Sequence, residues 1–155
     1  MIDAIIPRFS SAVLLIFLML PGFLPAQTAA ELEAVLQTPA LSCAQAAWFV
    51  LSASAENDAP AAAEAAFTQA ASQGWLKNAQ ADDPITLGKL SFLIMRAFDL
   101  KGGMMYALFP SPRYAYRSMI SRSFIQGSSD PAMTLSGDRF LLILGKVLSA
   151  HGDES

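Results

Sequence analysis

Arginine and tyrosine side chains cluster in one short stretch of this 155-residue chain. Arg113, Tyr114, Tyr116 and Arg117 lie within five residues of one another, and Arg122 follows them. A helix places Arg113 and Arg117 on one face because they are four residues apart. Arginine forks beside tyrosine rings suit carboxylate, phosphate or sugar groups. The cluster predicts a ligand-binding face, and the alternative is an ordinary solvated basic face with Tyr116 buried.

Residues for catalysis or metal binding are scarce. His151 is the only histidine and Cys43 the only cysteine, whereas nucleophilic catalysis and metal sites need several such groups together. Asp82 and Asp83 precede Pro84, which is the pattern of a solvated turn. We therefore expect a protein that is not an enzyme and has no metal or cofactor. Cys43 is expected to be a packing residue, since no internal disulfide is possible.

Among the elements that must position this face, residues 84–100 show the clearest helical pattern. Thr86 is a helix-capping residue, and apolar residues then recur at helical spacing from Leu87 to Phe98. The pattern returns 48 residues later at Thr134 (134 − 86), and a weaker copy begins at Thr38. The preceding helices also match, at an offset of 49, as in the pair Trp75 and Phe124. These matches predict a structural repeat.

The fold class predicted from this repeat is all-α, with three helix–loop–helix units of which the first is degenerate. Helices are expected at residues 29–36, 41–55, 60–73, 86–100, 113–124 and 134–150. We expect no regular structure at residues 104–112 and a disordered tail at residues 151–155. The second helices should form the inside, with four side chains nearly fully buried: Leu93, Ile94, Leu141 and Leu144.

The repeat resembles the S-layer homology (SLH) module of bacterial envelope proteins. The resemblance is carried by residues 124–148 and 75–98, in which an aromatic helix and a Gly/Asp/Pro loop precede a hydrophobe-Thr pair and an apolar helix. It implies a pseudo-trimer of three helical hairpins whose grooves face cell-wall glycan. The family's Thr-Arg-Ala-Glu signature is absent, since Leu87-Gly88-Lys89 follows Thr86 and Leu135-Ser136-Gly137-Asp138 follows Thr134. Lys89 stands close to the position of the family's binding cation, so a pseudo-trimer can place it in a groove with the arginine helix.

Residues 1–26 are typical of a secretory signal peptide. The apolar run at residues 12–20 follows Arg8 and ends at Pro21, with Ala26 as the expected cleavage position and Ala30 as the alternative. An uncleaved membrane anchor is the other interpretation, although spanning needs about 20 apolar residues. Cleavage makes residues 27–150 the helical repeat domain and leaves no membrane contact beyond the signal sequence.

Charge divides the chain unevenly. Residues 27–100 contain eight acids and three bases, whereas residues 101–155 contain six bases and four acids. This excess is too small for a nucleic-acid-binding protein, but it favours an anionic partner for the second half. We expect an exported, non-catalytic module of the periplasm or cell envelope that binds a cell-wall glycan or an envelope protein. The alternative is a periplasmic helical scaffold or adaptor with no glycan affinity. The candidate ligand-binding residues are Lys89, Arg113, Tyr116, Arg117 and Arg122.

Overall fold

The computed structural model describes residues 24–55, 58–127 and 130–153 of the chain. Apart from two isolated β-bridges, the regular structure of this described part is helical, which confirms the predicted all-α class. Its helices are α1 (Leu24–Leu36), α2 (Cys43–Ser54), α3 (Ala63–Ser72), α4 (Leu87–Ala97), α5 (Met104–Leu108), α6 (Pro112–Ser121) and α7 (Gly137–Asp153).

Residues 34–155 form one compact unit that contains the hydrophobic core. Residues 24–33 of α1 belong to a separate unit and are described only as helix. Within residues 34–155 we distinguish repeat 1 (residues 34–54), repeat 2 (residues 63–97) and repeat 3 (residues 112–153). Helix α5 lies in the connection between repeats 2 and 3.

The second helix of each repeat, here called the inner helix, is α2, α4 or α7. Helices α2 and α4 begin where a small hydroxyl residue satisfies the first free N–H groups. Ser42 caps α2 and forms a capping box with Gln45, in which each side chain accepts from the other residue's N–H at 3.2 Å. Thr86 caps α4 by accepting from the N–H of Lys89 at 3.4 Å. The cap predicted at Thr86 is therefore confirmed.

The outer helices α3 and α6 end in the same way, at the offset of 49 residues predicted from the sequence. Gly74 and Ser123 occupy the left-handed position, at φ +74° and +62°. The next N–H reaches back in both turns, from Trp75 to the Ala70 carbonyl (2.9 Å) and from Phe124 to the Met119 carbonyl (3.0 Å). This pairing is typical of a helix C-cap that satisfies the last carbonyls.

The three repeats are joined in a cycle through the N-termini of their inner helices. In each repeat the first N–H of the inner helix donates to a carbonyl in the loop of another repeat. The three pairs are Cys43 to Asp83 (2.8 Å), Leu87 to Met133 (2.9 Å) and Gly137 to Thr38 (2.9 Å). Repeat 1 donates to repeat 2, repeat 2 donates to repeat 3, and repeat 3 donates back to repeat 1. The three repeats are therefore linked to one another in a closed cycle.

The cycle also corrects the predicted register of repeat 3. Thr134 does not cap α7, because the helix begins at Gly137 and the Phe140 N–H donates to the Ser136 carbonyl at 3.0 Å. The buried residue and cap of repeat 2, Ile85 and Thr86, therefore correspond to Leu135 and Ser136. The offset is 50 residues (135 − 85) and not the predicted 48, so the loop of repeat 3 is one residue longer than that of repeat 2.

The core lies between the inner helices, as predicted. Helix α2 contacts both α4 and α7, and the rings of Phe49 and Phe140 meet at 5.9 Å between centroids. Leu93, Ile94 and Leu144 are buried as expected, but Leu141 is only half-buried. The prediction for Leu141 was wrong because the loop insertion turns Ile143 towards the core instead, where it is 2% exposed.

The outer helices do not close hairpins within their own repeats. Helix α3 packs mainly along α2 of the preceding repeat, and α6 packs along α4 of the preceding repeat. Trp75 and Trp48 are partly buried against the core, and the Trp48 indole donates to the Pro60 carbonyl at 3.0 Å. Each outer helix therefore bridges two successive repeats.

Two expectations about irregular segments were wrong. Met104–Leu108 is helical, although residues 104–112 were expected to lack regular structure. Helix α7 continues to Asp153 through the first residues of the predicted tail. The ring of His151 contacts that of Phe98 at 5.6 Å, which extends the packed end of α7.

Most of the predicted signal peptide, residues 1–23, lies outside the described residues. The expected cleavage position Ala26 lies within α1. Across the described ranges, no helix combines the length and apolarity needed to span a bilayer.

Candidate functional site

A groove of about 610 Å³ lies where the N-terminus of α4 meets α6 and the loop before α7. Repeats 2 and 3 both contribute to it. Its lining contains four of the five residues predicted from the sequence to bind a ligand: Lys89, Arg113, Tyr116 and Arg117. The remaining lining residues are small or apolar except for one hydroxyl: Thr86, Gly88, Pro112, Pro131 and Ala132.

Lys89 enters the groove from the first turn of α4. It is the third residue of the helix, and the Thr86 cap holds its N–H. Its side chain is half-buried, and Nζ donates to the Asn78 carbonyl at 3.3 Å. An ammonium group with one donor engaged retains two further donors for a ligand.

Arg113 and Arg117 are exposed on one face of α6, as their spacing predicted. Pro112 is the first residue of α6, where its fixed φ favours the start of a helix. Buried Ala115 and Met119 attach the opposite face to the core. Tyr116 is also buried, with 7% of its surface exposed, so only its edge contributes to the lining. The two arginines are consequently the solvent-facing donors of the site.

A backbone contact brings the loop of repeat 3 against the start of α4. The Gly88 N–H donates to the Pro131 carbonyl at 2.8 Å. A Cβ atom on Gly88 would lie 3.1 Å from that oxygen, which is tighter than ordinary contact. Glycine therefore allows Pro131 and Ala132 to form one wall of the groove.

The groove is electropositive. Three cations line it, and its lining contains no acidic residue among the described parts of the chain. The nearest acid in sequence is Asp130, whose carboxylate already accepts from the Ala132 N–H at 2.7 Å. The N-termini of α4 and α6 both lie at the groove, and their dipoles add positive potential. Since the first N–H groups of α4 are bonded to the loop of repeat 3, an anion would be held mainly by side chains.

Arg122 does not belong to this groove. It follows the end of α6, and its guanidinium donates to the Lys101 carbonyl. It lines a separate open depression of about 620 Å³ together with Lys146 and the half-buried Leu141. The predicted set of five residues is therefore divided between two surfaces.

Sequence reasoning missed the contribution of the proline loop to the groove. Nothing in the pattern indicated that Pro131 and Ala132 would face α6. The pair Leu135-Ser136 repeats Leu41-Ser42 and is the signal in the sequence for the start of α7, which the predicted pattern had placed at Thr134.

Cys43 is a packing residue, as expected, and is fully buried at the start of α2. Burial raises the pKa of its thiol, and the nearby ammonium of Lys89 opposes that rise. Within residues 24–55, 58–127 and 130–153, no group of three or more His, Cys, Asp or Glu residues is arranged to hold a metal ion.

Comparison with known protein families, curated proteins and solved structures gives no match for this chain. The support for any proposed relation to a family therefore comes from the residues and geometry described above.

Proposed function

We propose that this chain is an exported, non-catalytic module of the cell envelope that binds an anionic cell-wall polymer in the groove between repeats 2 and 3. The observation that carries the proposal is the convergence of Lys89, Arg113 and Arg117 on one groove without an acid in its described lining. Cations that are close together and unopposed concentrate anions at a surface.

The arrangement of the repeats supports a likeness to the SLH module. The cyclic hydrogen bonds agree with a pseudo-trimer, and residues 41–45 (Leu-Ser-Cys-Ala-Gln) follow the family's hydrophobe-Thr-Arg-Ala-Glu order at four of five positions if Ser and Gln replace Thr and Glu. The family's arginine is replaced in all three repeats, by Cys43, Leu87 and Gly137. None of these three residues carries a charge, and all three are buried. The position of the family's ligand-binding arginine therefore holds no cation in this chain.

The ligand site that we propose is accordingly a rebuilt one. Lys89 lies two residues after the position of the family's arginine, and α6 supplies the guanidinium groups. Arginine forks bind carboxylate or phosphate groups in a bidentate manner, which suits a polymer with such groups along a glycan chain. The groove is open to solvent, so one segment of a long polymer can lie across it without having to end there.

The test is co-sedimentation of the full chain with purified peptidoglycan sacculi that retain their anionic polymers. We expect binding that falls as salt concentration rises, because exposed charges are screened over about 8 Å at physiological ionic strength. The double change Arg113→Ala with Arg117→Ala should weaken binding by at least about tenfold, since it removes two charge-assisted contacts.

The matched control is Arg122→Ala with Lys146→Ala, which removes two cations from the separate depression and should leave binding nearly unchanged. Circular dichroism of both variants should match the parent chain, because the four side chains are on the surface. If the two double variants lose binding equally, net charge and not the groove is responsible. If the parent chain does not sediment with sacculi, the helical scaffold without glycan affinity is the better interpretation.

A further inference from the structure

The short helix α5 presents an apolar surface that the core does not use. Four large side chains, here called the α5 tip, are exposed by between 44% and 77%: Met104, Met105, Leu108 and Phe109. Met104 and Leu108 are four residues apart, and so are Met105 and Phe109, so the four side chains share one side of the helix. Single exposed apolar side chains are common on protein surfaces, but a contiguous group of them indicates an interaction surface.

The α5 tip is held firmly on the protein by its buried side. Tyr106 is 8% exposed and its ring meets that of Phe92 at 6.3 Å. A Cβ atom on Gly102 would overlap the Tyr106 side chain, so glycine is needed there for the ring to be seated. The Gly103 N–H donates to the Ser118 hydroxyl of α6 at 3.3 Å. These contacts fix the orientation in which the four apolar side chains point outward.

Basic residues flank the α5 tip in the sequence. Residues 96–122 contain five bases and one acid, Asp99, in a chain whose net charge is −3. All five bases are exposed: Arg96, Lys101, Arg113, Arg117 and Arg122. Arg96 lies 5.3 Å above the Phe92 ring that supports Tyr106, and Arg117 lines a small depression beside Met104 and Met105. Positive charge therefore lies beside the tip on α6, at Arg117, and against its supporting Phe92 ring on α4, at Arg96.

We propose that the α5 tip docks on the surface of an anionic lipid bilayer, with Leu108 and Phe109 entering the interface and the nearby Arg96 and Arg117 contacting lipid headgroups. Protruding apolar side chains with adjacent Lys and Arg are what interfacial binding requires, and no spanning helix is needed. A second copy of the chain fits less well, because a symmetric contact through the tip would bring the same cations face to face. A helical peptide would need an apolar groove, whereas these side chains stand outward.

The first experiment places a fluorescent reporter at the tip of the full chain. Phe109→Trp is compared with Leu142→Trp, a change at a residue that is 60% exposed on α7 and lines a different depression from Met104 and Met105. After subtraction of the parent spectrum, the fluorescence of the Phe109→Trp variant should shift to shorter wavelength with vesicles of equal parts phosphatidylglycerol and phosphatidylcholine. The shift should be absent with phosphatidylcholine alone, and the Leu142→Trp variant should show no shift with either vesicle.

The second experiment measures partitioning onto the anionic vesicles. Leu108→Ser with Phe109→Ser should weaken partitioning by at least about tenfold, because the apolar contribution to interfacial binding is lost. Leu142→Ser with Leu148→Ser removes two exposed apolar side chains from α7 and should have no such effect. Binding to sacculi should be unchanged in both double variants, so that failure here is distinguishable from failure of the glycan-binding proposal.

Three outcomes would overturn the docking proposal. One is the absence of a shift in the Phe109→Trp variant with anionic vesicles, and another is an equal loss of partitioning in the two serine double variants. The third is a shift produced by soluble poly-glutamate but not by vesicles, which would assign the tip to an acidic protein partner.

Discussion

One residue determines how much backbone strain lies in the turn that ends each outer helix. Gly74 and Ser123 occupy equivalent left-handed positions after α3 and α6, with nearly the same hydrogen bonds. A side chain in this region of φ and ψ costs about 1 kcal/mol or more, whereas glycine adopts it freely. The turn after α6 therefore stores strain that its counterpart lacks.

Ser123→Gly should raise the free energy of unfolding by about 0.5–1 kcal/mol, because the strain is removed and only part of the gain is offset by a more flexible unfolded chain. The reciprocal change, Gly74→Ala, should lower it by about 1 kcal/mol. Urea denaturation followed by circular dichroism measures both. Changes of the same sign in the two variants would contradict the equivalence of the turns.

The groove residues that could be predicted from the sequence are those whose side-chain direction follows from helical spacing. Spacing alone places Arg113 and Arg117 on one face of α6, and the resemblance placed Lys89 nearby. Arg122 follows the last residue of α6, Ser121, so helical periodicity no longer determines where its side chain points. Pro131 could not be assigned to the groove, because a loop's position depends on contacts between repeats that no local pattern encodes.

Among the elements, α7 shows how one loop residue changes a buried face. The apolar run from Phe140 to Leu144 offers several faces of similar hydrophobicity, so its pattern fits more than one register. The longer loop of repeat 3 sets the register by placing Ser136 at the helix start. Ile143 and Val147 then enter the core, and Leu142 faces solvent with 60% of its surface exposed.

Ile143→Ala should lower the free energy of unfolding by about 2–5 kcal/mol, as expected for a large buried side chain. Leu142→Ala is the matched control on the neighbouring residue and should change it by less than about 0.5 kcal/mol. Thermal or chemical denaturation of the two variants makes the comparison. Equal effects would mean that α7 is rotated relative to the register described here.

Helix α5 illustrates a limit of reasoning from periodicity. Five residues between Gly103 and Phe109 are too few to display a helical repeat, and isolated helices of this length are not stable in water. Helix α5 exists because Tyr106 is seated against Gly102 and Phe92. Such dependence on tertiary contacts is the reason that residues 104–112 were expected to be irregular.

At the scale of the whole molecule, the contact between repeats 3 and 1 completes the cycle. The all-α class and the repeated units were predictable from helical spacing, but the packing of each outer helix on the preceding repeat was not. The closing contact depends on Gly137, whose N–H donates to the Thr38 carbonyl at 2.9 Å. A Cβ atom on Gly137 would overlap the Val35 carbonyl, so the two backbones approach as closely as glycine allows.

Gly137→Ala should lower the free energy of unfolding by about 1–3 kcal/mol, the usual cost of forcing extra atoms into a packed contact. Gly145→Ala is the control in the same helix, where a Cβ atom meets nothing within 4 Å. It should raise the free energy of unfolding by about 0.8–1 kcal/mol, because alanine favours helix over glycine. Stabilisation by both changes would show that the α7 N-terminus is not closely packed against repeat 1.

Closure of the cycle also orders events during synthesis on the ribosome. Thr38 and Leu41 are made before the groups that bond to them, Gly137 and Leu135, which follow 99 (137 − 38) and 94 (135 − 41) residues later. Contacts so distant in sequence carry a large loop-closure cost and form late in folding. The nascent chain must therefore hold repeats 1 and 2 with an open end until repeat 3 has been made, and only then can the cycle of contacts close.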